Sequence, residues 1–552
     1  MGHRASLAAR IGSAVDGVYG MMVAARPGWP LYSAVAMTVA IFVFVVLGWG
    51  YISGTGAYWQ QPLYDAGAHV SGWLFFSHDA WHVPIFDTVR MNYPDGGSIV
   101  LTDSIPLVAL VAKVFGLGLA GSWQYFGLFV AGAYVLNALA LLWLLRQMDF
   151  KNIVAGLVAV TFACFTTLYN IQFESFFAQF IVILSLGLYV RVQRRVTARE
   201  LGWFVALVAA SLLIHPYLFA MSLGIFVVTL VTIWRRRQTS LRLCALWLGG
   251  AALLIGAIAW AAGYTAHPAT GYQEQLYGTS PMFALDPAAL FQKSYSVDEI
   301  GLYLGAGFWV LALAGLVVLW RCYRTMIASH VWLIVLCVLF VLVAASNTLF
   351  VQGHEVFHLN LPHIVASVTE MFRASKRFIV PVYYLTVAAS TVLLLRQRSR
   401  WGLTILLVAL VLQVADVSFF VRDMHQSARQ GQPAVIDQKE WSATISKVSI
   451  VQVFPSYSCL FNYRTAPLSG QWTASLELYQ LAAREGKISN SVRASRRTKD
   501  CDKEAQQSQQ HLSSANLSVY LVDDAQHFMV QPSRECTEQH HRFQYGIYCI
   551  EQ

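Results

Sequence analysis

Along the first 421 residues, apolar positions come in long unbroken runs separated by short polar loops, not in the alternation of half-buried elements. Eleven runs approach the roughly 17 to 25 residues that cross ~30 Å of hydrocarbon as a helix. They fall near 31–52, 124–145, 152–170, 172–190, 201–214, 217–234, 243–263, 303–320, 331–350, 378–396 and 402–421. The 201–214 run is short, and His215-Pro216-Tyr217 ends it as a tight turn at the membrane surface. The stretch 103–120 is different: Pro106 removes a backbone hydrogen bond, and Lys113 would cost about 2.5 to 3.5 kcal/mol at mid-bilayer. It is expected to be a re-entrant or surface-lying helix. The first run exceeds the roughly 7 to 15 apolar residues of a secretion signal, so an uncleaved anchor is expected.

After residue 421 the pattern changes. Strands are expected near 447–454, 517–523 and 543–550, a helix near 474–485, and a basic polar loop over 487–514. The expected fold is an all-α polytopic membrane protein of about eleven transmembrane helices followed by a small α/β domain. Its parts are a cytoplasmic segment 1–30, a membrane domain 31–421 with outer loops 53–123, 264–302 and 351–377, and an extracytoplasmic domain 422–552.

Composition agrees with this division. The chain is 57% hydrophobic and 12% charged, against about 25% charged in soluble proteins. Of the 24 Lys and Arg before residue 422, 18 fall in loops on one side of an eleven-span topology. These are Arg4, Arg10, Arg26, Arg146, Lys151, Arg191, Arg194, Arg195, Arg199, Arg235, Arg236, Arg237, Arg242, Arg321, Arg324, Arg396, Arg398 and Arg400. Basic short loops stay cytoplasmic, so the N-terminus is expected inside and the C-terminus outside the membrane. The net charge of +9 thus reflects topology rather than nucleic-acid binding.

Acidic residues sort to the opposite side. Asp65, Asp79, Asp87, Asp95 and Asp103 lie in the first outer loop. Glu174, Glu299 and Glu370 lie at outer helix ends with His215, Tyr217, Arg373, Lys376 and Arg377. Ionisable groups at one membrane depth suggest a site, though they also read as solvated loop charges. Carboxylates that can accept a proton, near cations that hold phosphate, suit transfer of a sugar from a lipid phosphate to a hydroxyl.

The stretch Pro62-Leu63-Tyr64-Asp65-Ala66-Gly67-Ala68-His69 resembles the first outer loop of the GT-C class of polytopic glycosyltransferases. Further pieces resemble a poorly characterised bacterial membrane family of that architecture. They are Asn92-Tyr93-Pro94, Gly96-Gly97-Ser98, Thr102-Asp103-Ser104-Ile105-Pro106-Leu107, Gln124-Tyr125-Phe126-Gly127 and Ile214-His215-Pro216-Tyr217. Later come Glu299-Ile300-Gly301-Leu302-Tyr303-Leu304-Gly305, Ser346-Asn347 and Phe372-Arg373-Ala374-Ser375-Lys376-Arg377-Phe378. The similarity runs in order over about residues 60–385. Lys376 departs from an expected Gly, 169–179 lacks the expected His, and Ile300 intervenes between Glu299 and Gly301.

The resemblance implies a glycosyltransferase whose donor is a polyprenyl-phosphate sugar, whose acceptor is an envelope glycan, lipid or protein, and whose reaction inverts the anomeric centre. Asp65 would be the catalytic base, and Arg373, Arg377 and Lys376 would hold the donor phosphate. His69, Asp103, Glu174, His215, Tyr217 and Glu299 would orient the substrates. Asp103 also reads as a helix N-cap, and His215 as a satisfied turn histidine. No cofactor beyond the donor is implied. A non-catalytic glycan-binding or scaffold relative, or a lipid or glycan transporter, are the alternatives.

His354-Glu355-Val356-Phe357-His358 matches the zinc-protease motif H-E-x-x-H, which works only on a helix. Gly353, Asn360 and Pro362 around it argue against a helix, and no metal is expected. His78-Asp79-Ala80-Trp81-His82 reads as an interfacial anchor rather than a metal cluster. Four of the eight cysteines, Cys459, Cys501, Cys536 and Cys549, lie in the outward domain, an even number that suggests two disulfides. Nearness in sequence favours Cys459–Cys501 with Cys536–Cys549.

Overall fold

In the computed structural model the described residues are 24, 28–60, 64–118, 121–269, 277–293, 299–322, 324–463, 469–509, 516–523, 526–538 and 540–551. Arg4, Arg10, Arg26 and the Pro62-Leu63 pair fall outside them. Among them, seven helices are long and apolar enough to cross a membrane: Gly28–Gln60, Phe126–Gln147, Glu174–Arg194, Pro216–Arg235, Leu241–Ala261, Ser375–Arg396 and Arg400–Ser427. Three shorter apolar helices, Ile153–Cys164, Ala306–Arg321 and Val331–Ala345, and the helix Ala198–Leu212 occupy the other expected runs. Several start where a side chain takes up an orphan backbone N–H. Asn152 accepts from Ala155, Thr197 from Glu200, Ser240 from Leu243 and Ser399 from Trp401.

Two expected spans are cut short for one physical reason. The runs 152–170 and 172–190 read as continuous apolar stretches, yet helix ends at Cys164 and α-helix resumes at Phe180. Between them Thr167, Asn170 and Gln179 bond to carbonyls rather than riding on a helix. Thr167 Oγ1 donates to Tyr303 O at 2.7 Å, Asn170 Nδ2 to Glu299 O at 3.0 Å, and Gln179 Nε2 to Leu168 O at 2.8 Å. Such side chains offer the backbone an alternative to helix, and irregular backbone survives at membrane depth only when buried in protein. The 331–350 run likewise ends early, at Ala345, and turns into the antiparallel hairpin Thr348–Val351 and His354–His358.

The 103–120 stretch forms the helix Pro106–Val114. Its nine residues span about 13 Å, too little to cross a bilayer. The first span kinks at Gly48, whose φ is +76°. Arg429, just past the last span, donates to Val46 O at 2.6 Å and Val45 O at 3.0 Å, so the carbonyls the kink releases are not left bare.

The C-terminal part is a five-stranded sheet in the order Ile488–Ser489, Ile450–Phe454, Asn516–Leu521, Gly546–Glu551, His541–Phe543. The first three strands are parallel and the last two pair antiparallel. The helix Ser469–Arg484 packs on it, covering the apolar face formed by Val451, Val453, Leu517 and Val519. Disulfides join Cys459 to Cys501 and Cys536 to Cys549. The 487–514 segment, expected as a loop, holds the Ile488–Ser489 strand and the helix Cys501–Gln507, started by the Asp500 carboxylate.

That segment is also stitched to the first loop of the membrane part. Backbone bonds run from Ser489 N to Arg90 O (2.8 Å), Tyr93 N to Ser489 O (3.0 Å) and Ser495 N to Leu101 O (2.7 Å). Basic side chains add to them. Arg484 donates to Trp59 O at 2.9 Å and Lys499 to Tyr93 O at 2.8 Å, while Arg496 donates at 2.6 Å to Tyr264 O, outside that loop. Residues 484–499 therefore form a strap across the first loop.

Candidate functional site

The short helix Tyr64–Ser77 places Asp65 in its first turn and His69 one turn later. A carboxylate at a helix N-terminus is favoured by the helix dipole. Gly72, on the same helix, lies against the loop 102–104: a Cβ there would fall 2.1 Å from Thr102 Oγ1 and 2.5 Å from Ser104 Oγ. Ser104 Oγ donates to His69 O at 2.7 Å, and Tyr125 OH bonds Ser104 O. These contacts pin the loop to the helix and set Asp103 beside it.

Asp103 has a left-handed φ of +51°, and Ile105, a β-branched residue, has φ +49°. Left-handed backbone at such a residue is an outlier, and strain of this kind gathers at functional sites. The helix that follows has Ile105, not Asp103, at its N-cap, so the capping role expected for Asp103 is not the one it plays. Among the described residues Asp103 has no hydrogen-bond or ion-pair partner, and it is half-buried.

The charged groups around these two aspartates fall into two kinds. Arg377 and Glu299 form a bidentate pair, with Nε to Oε1 and Nη2 to Oε2 both 2.9 Å. The guanidinium lies over Phe173, Phe176 and Tyr217 at 4.5, 5.2 and 5.1 Å from their ring centres. His215 Nε2 sits 3.4 Å from Arg377 Nη1, and its Nδ1 accepts from Tyr217 N, starting the helix Pro216–Arg235. Tyr217 OH accepts from Ala374 N at 2.8 Å. Arg377, expected to hold donor phosphate, is thus balanced by Glu299 and enclosed by rings. Glu299, His215 and Tyr217, expected to orient substrate, hold Arg377 and the backbone around it. His69 and Glu174, both buried, meet at 2.5 Å. Lys376 is buried, and its N–H donates to Phe283 O.

Asp65 and Arg373 are of the other kind. Asp65 is half-buried and meets Arg493 of the strap at 2.9 Å, while Arg493 Nη1 also donates to Tyr457 OH at 2.8 Å. Arg373 is half-buried and has no hydrogen-bond or ion-pair partner among the described residues, yet its charge acts on both Asp65 and Asp103.

The electrostatics separate the two aspartates. Burial works against ionisation of Asp65, but Arg493, His69, Arg373 and Arg377 together hold its carboxyl below the usual range. Burial pushes Asp103 up and the Asp65 charge adds to it, together outweighing the pull of His69, Arg377 and Arg373 in the other direction. Burial disfavours a charge on His69, but Glu174 outweighs it and raises the imidazole. Two carboxyl groups held apart in this way are the arrangement in which one stays ionised while the other can exchange a proton.

Other expectations fall away from this cluster. His354 and His358 lie on an exposed strand, where positions four apart are about 13 Å from each other, so one zinc ion cannot take both. Among the described residues no group of three His, Cys, Asp or Glu is gathered as a metal would need. Asp79 accepts from Thr88 Oγ1 (2.6 Å) and Val89 N (2.8 Å), a loop-holding role, while Trp81 is exposed. Arg493 had no place in the sequence-based site. Its only signal was the density of Arg and Lys between 484 and 503, which hydropathy reads as a solvated loop.

The profile of a family described as "Domain of unknown function (DUF6311)" matches residues 35–418, more than half of the chain. No curated protein matches. Among solved structures, the chain is similar to the oligosaccharyltransferase AglB of the archaeon Archaeoglobus fulgidus in complex with an inhibitory peptide and a dolichol-phosphate, at 11% identity and a TM-score of 0.43. It is similar to the apo form of the Archaeoglobus fulgidus oligosaccharyltransferase at 11% identity and a TM-score of 0.44. In both cases 84% of this chain is covered, and it spans 64% of the other's length. Nothing of those proteins' chemistry follows for this chain from a likeness at that level.

Proposed function

The chain belongs to the DUF6311 family, whose description assigns no activity, and from its own residues we propose a membrane glycosyltransferase. It moves a sugar from a polyprenyl-phosphate donor to an envelope glycan, lipid or protein acceptor at the outer face of the cytoplasmic membrane, with inversion. Asp65 takes the proton of the acceptor hydroxyl as its oxygen bonds to the anomeric carbon. The bond from that carbon to the phosphate oxygen breaks, and the electron pair leaves with the phosphate. Arg373 receives the resulting charge, and Asp103 orients the acceptor. The observation that carries this reading is Arg373. It is a half-buried cation without a partner among the described residues, placed where two carboxylates feel it while the deeper charges are paired off.

The Asp65–Arg493 contact favours a second reading, a non-catalytic relative that binds glycan with its carboxylate permanently neutralised. One experiment separates the two. Envelope glycans and polyprenyl-phosphate sugars are measured by mass spectrometry in cells with no copy, the wild type, or equally expressed Asp65→Asn. Loss of one sugar with accumulation of its lipid donor in both mutant strains supports transfer. Full restoration by Asp65→Asn removes Asp65 as the base and leaves the binding reading.

A further inference from the structure

Arg493 comes from the C-terminal strap, reaches the helix of the first loop, and is shared between a carboxylate and a phenol. Its Nη2 is 2.9 Å from Asp65 Oδ1 and its Nη1 2.8 Å from Tyr457 OH. Both partners of the ion pair keep more than a quarter of their side-chain surface exposed, at 28% and 30%. The pair is therefore open to a competitor, unlike Arg377–Glu299, whose exposures are 8% and 2%. Arg373 is a further cation whose charge acts on Asp65, and among the described residues it has no hydrogen-bond or ion-pair partner to give up. Two guanidinium groups whose charges act on one carboxylate, one held by it and one not, form an anion site from which the carboxylate can be displaced.

We propose that Arg493 and Arg373 form a two-arginine clamp for the phosphate group of an isoprenoid phosphate, and that the phosphate draws Arg493 away from Asp65 as it binds. This rests on the glycosyltransferase reading and adds a regulation to it. With no donor bound, Asp65 is held in an ion pair and is a poor proton acceptor. Once phosphate oxygens engage Arg493, Asp65 loses its strongest neutralising neighbour and becomes the better base. The other groups that face Asp65 electrostatically are His69, Arg373, Arg377, Asp103, Glu174 and Tyr479. The strap thereby couples the base to occupation of the donor site, so that the site is not left to activate water when empty.

The test uses the full chain in nanodiscs of zwitterionic lipid, with farnesyl phosphate as the probe and farnesol as the uncharged control. Arg493→Gln is expected to weaken farnesyl phosphate binding about tenfold or more, the order lost with one charge-assisted contact. Arg493→Lys should fall between that variant and the wild type. Asp65→Asn is expected to tighten binding several-fold, because the competitor for Arg493 is gone, and farnesol should be indifferent to all three. A purely structural strap predicts the opposite sign for Asp65→Asn, since breaking the pair would loosen the site. Unchanged or weaker binding by Asp65→Asn, or binding indifferent to Arg493→Gln, overturns the clamp. Equal competition by inorganic phosphate, or by phosphatidylglycerol in the disc, overturns its assignment to an isoprenoid phosphate. If the clamp holds while cells lacking the protein keep every sugar, the transfer reading fails and the clamp stands. If transfer depends on Asp65 while binding ignores Arg493, the reverse is true.

Discussion

Two ion pairs of the same chemistry sit at the same end of this protein and are built for opposite purposes. Arg377 and Glu299 make two parallel bonds, are buried, and are roofed by Phe173, Phe176 and Tyr217. Asp65 and Arg493 meet along one edge, half in solvent, and join the first loop to the strap. A charge pair sealed from water is hard to break, because either half left alone is an uncompensated buried ion. An open pair can exchange partners at little cost. The deep pair is framework, and the open pair is where chemistry can enter.

The largest expected effect breaks the framework pair. Glu299→Gln strands the Arg377 guanidinium in its aromatic box and should destabilise the protein by about 3 to 5 kcal/mol. A thermal melt in detergent reads this as a large drop in Tm. A melt unchanged within a degree or two would mean that the two pairs are alike after all.

The next test strikes the seat of the open pair without touching a charge. Gly72→Ala drives a Cβ into Thr102 and Ser104 side chains at 2.1 and 2.5 Å, an overpacking that costs about 1 to 3 kcal/mol. It should also shift Asp103 relative to Asp65, so transfer is expected to fall more steeply than stability. A sugar-transfer assay paired with the melt checks this, and equal losses would show that the helix-to-loop contact does nothing beyond packing.

Acid should sharpen the comparison. The Asp65 carboxyl is held below its usual value, so its contribution to stability is complete above the unfolded value of ~3.9 and is lost as pH falls through the lower folded one. His69 is raised, so its pairing with Glu174 contributes fully just below the unfolded value of ~6.5 and is lost as pH rises through the higher folded one, and it is lost again in acid as the Glu174 carboxyl, itself raised by burial, takes a proton. Melts of wild type and Asp65→Asn should therefore converge in acid and differ near neutrality. A His69→Gln variant should approach wild type at high pH instead.

The smallest expected effect is on the open pair itself. Arg493→Lys keeps the charge and loses the fork, and should change stability by no more than about 1 kcal/mol. A loss as large as that of Glu299→Gln would erase the distinction between the two pairs.

How much of this was readable in the sequence depends on whether the signal is local. Each long apolar run holds a helix, and Asp65 lies just after the first of them because the chain there turns polar at once. The interruption at 165–179 was not readable. Hydropathy counts Tyr169, Phe173 and Phe176 as membrane filling, and the carbonyl partners of Asn170, Gln179 and Thr167 are set by folding, not by spacing. The fate of Arg377 was hidden for the same reason. Its neighbour Arg373 carries the same charge in the same motif, and only the fold decides which one finds Glu299. Arg493 lies at the far end of the chain from Asp65, among basic residues that look like solvated surface, and no periodicity links the two.

That separation also orders the life of the protein. A ribosome delivers the Gly28–Gln60 helix and the Asp65 helix before Arg493, which it reaches only after the whole bundle and two of the five sheet strands have been made. A nascent chain that stalls on the way can insert and pack its helices, but it lacks the cation that restrains Asp65. The strap thus marks a bundle already made, and products that stop before it should differ from the full chain at the carboxylate while sharing its bundle.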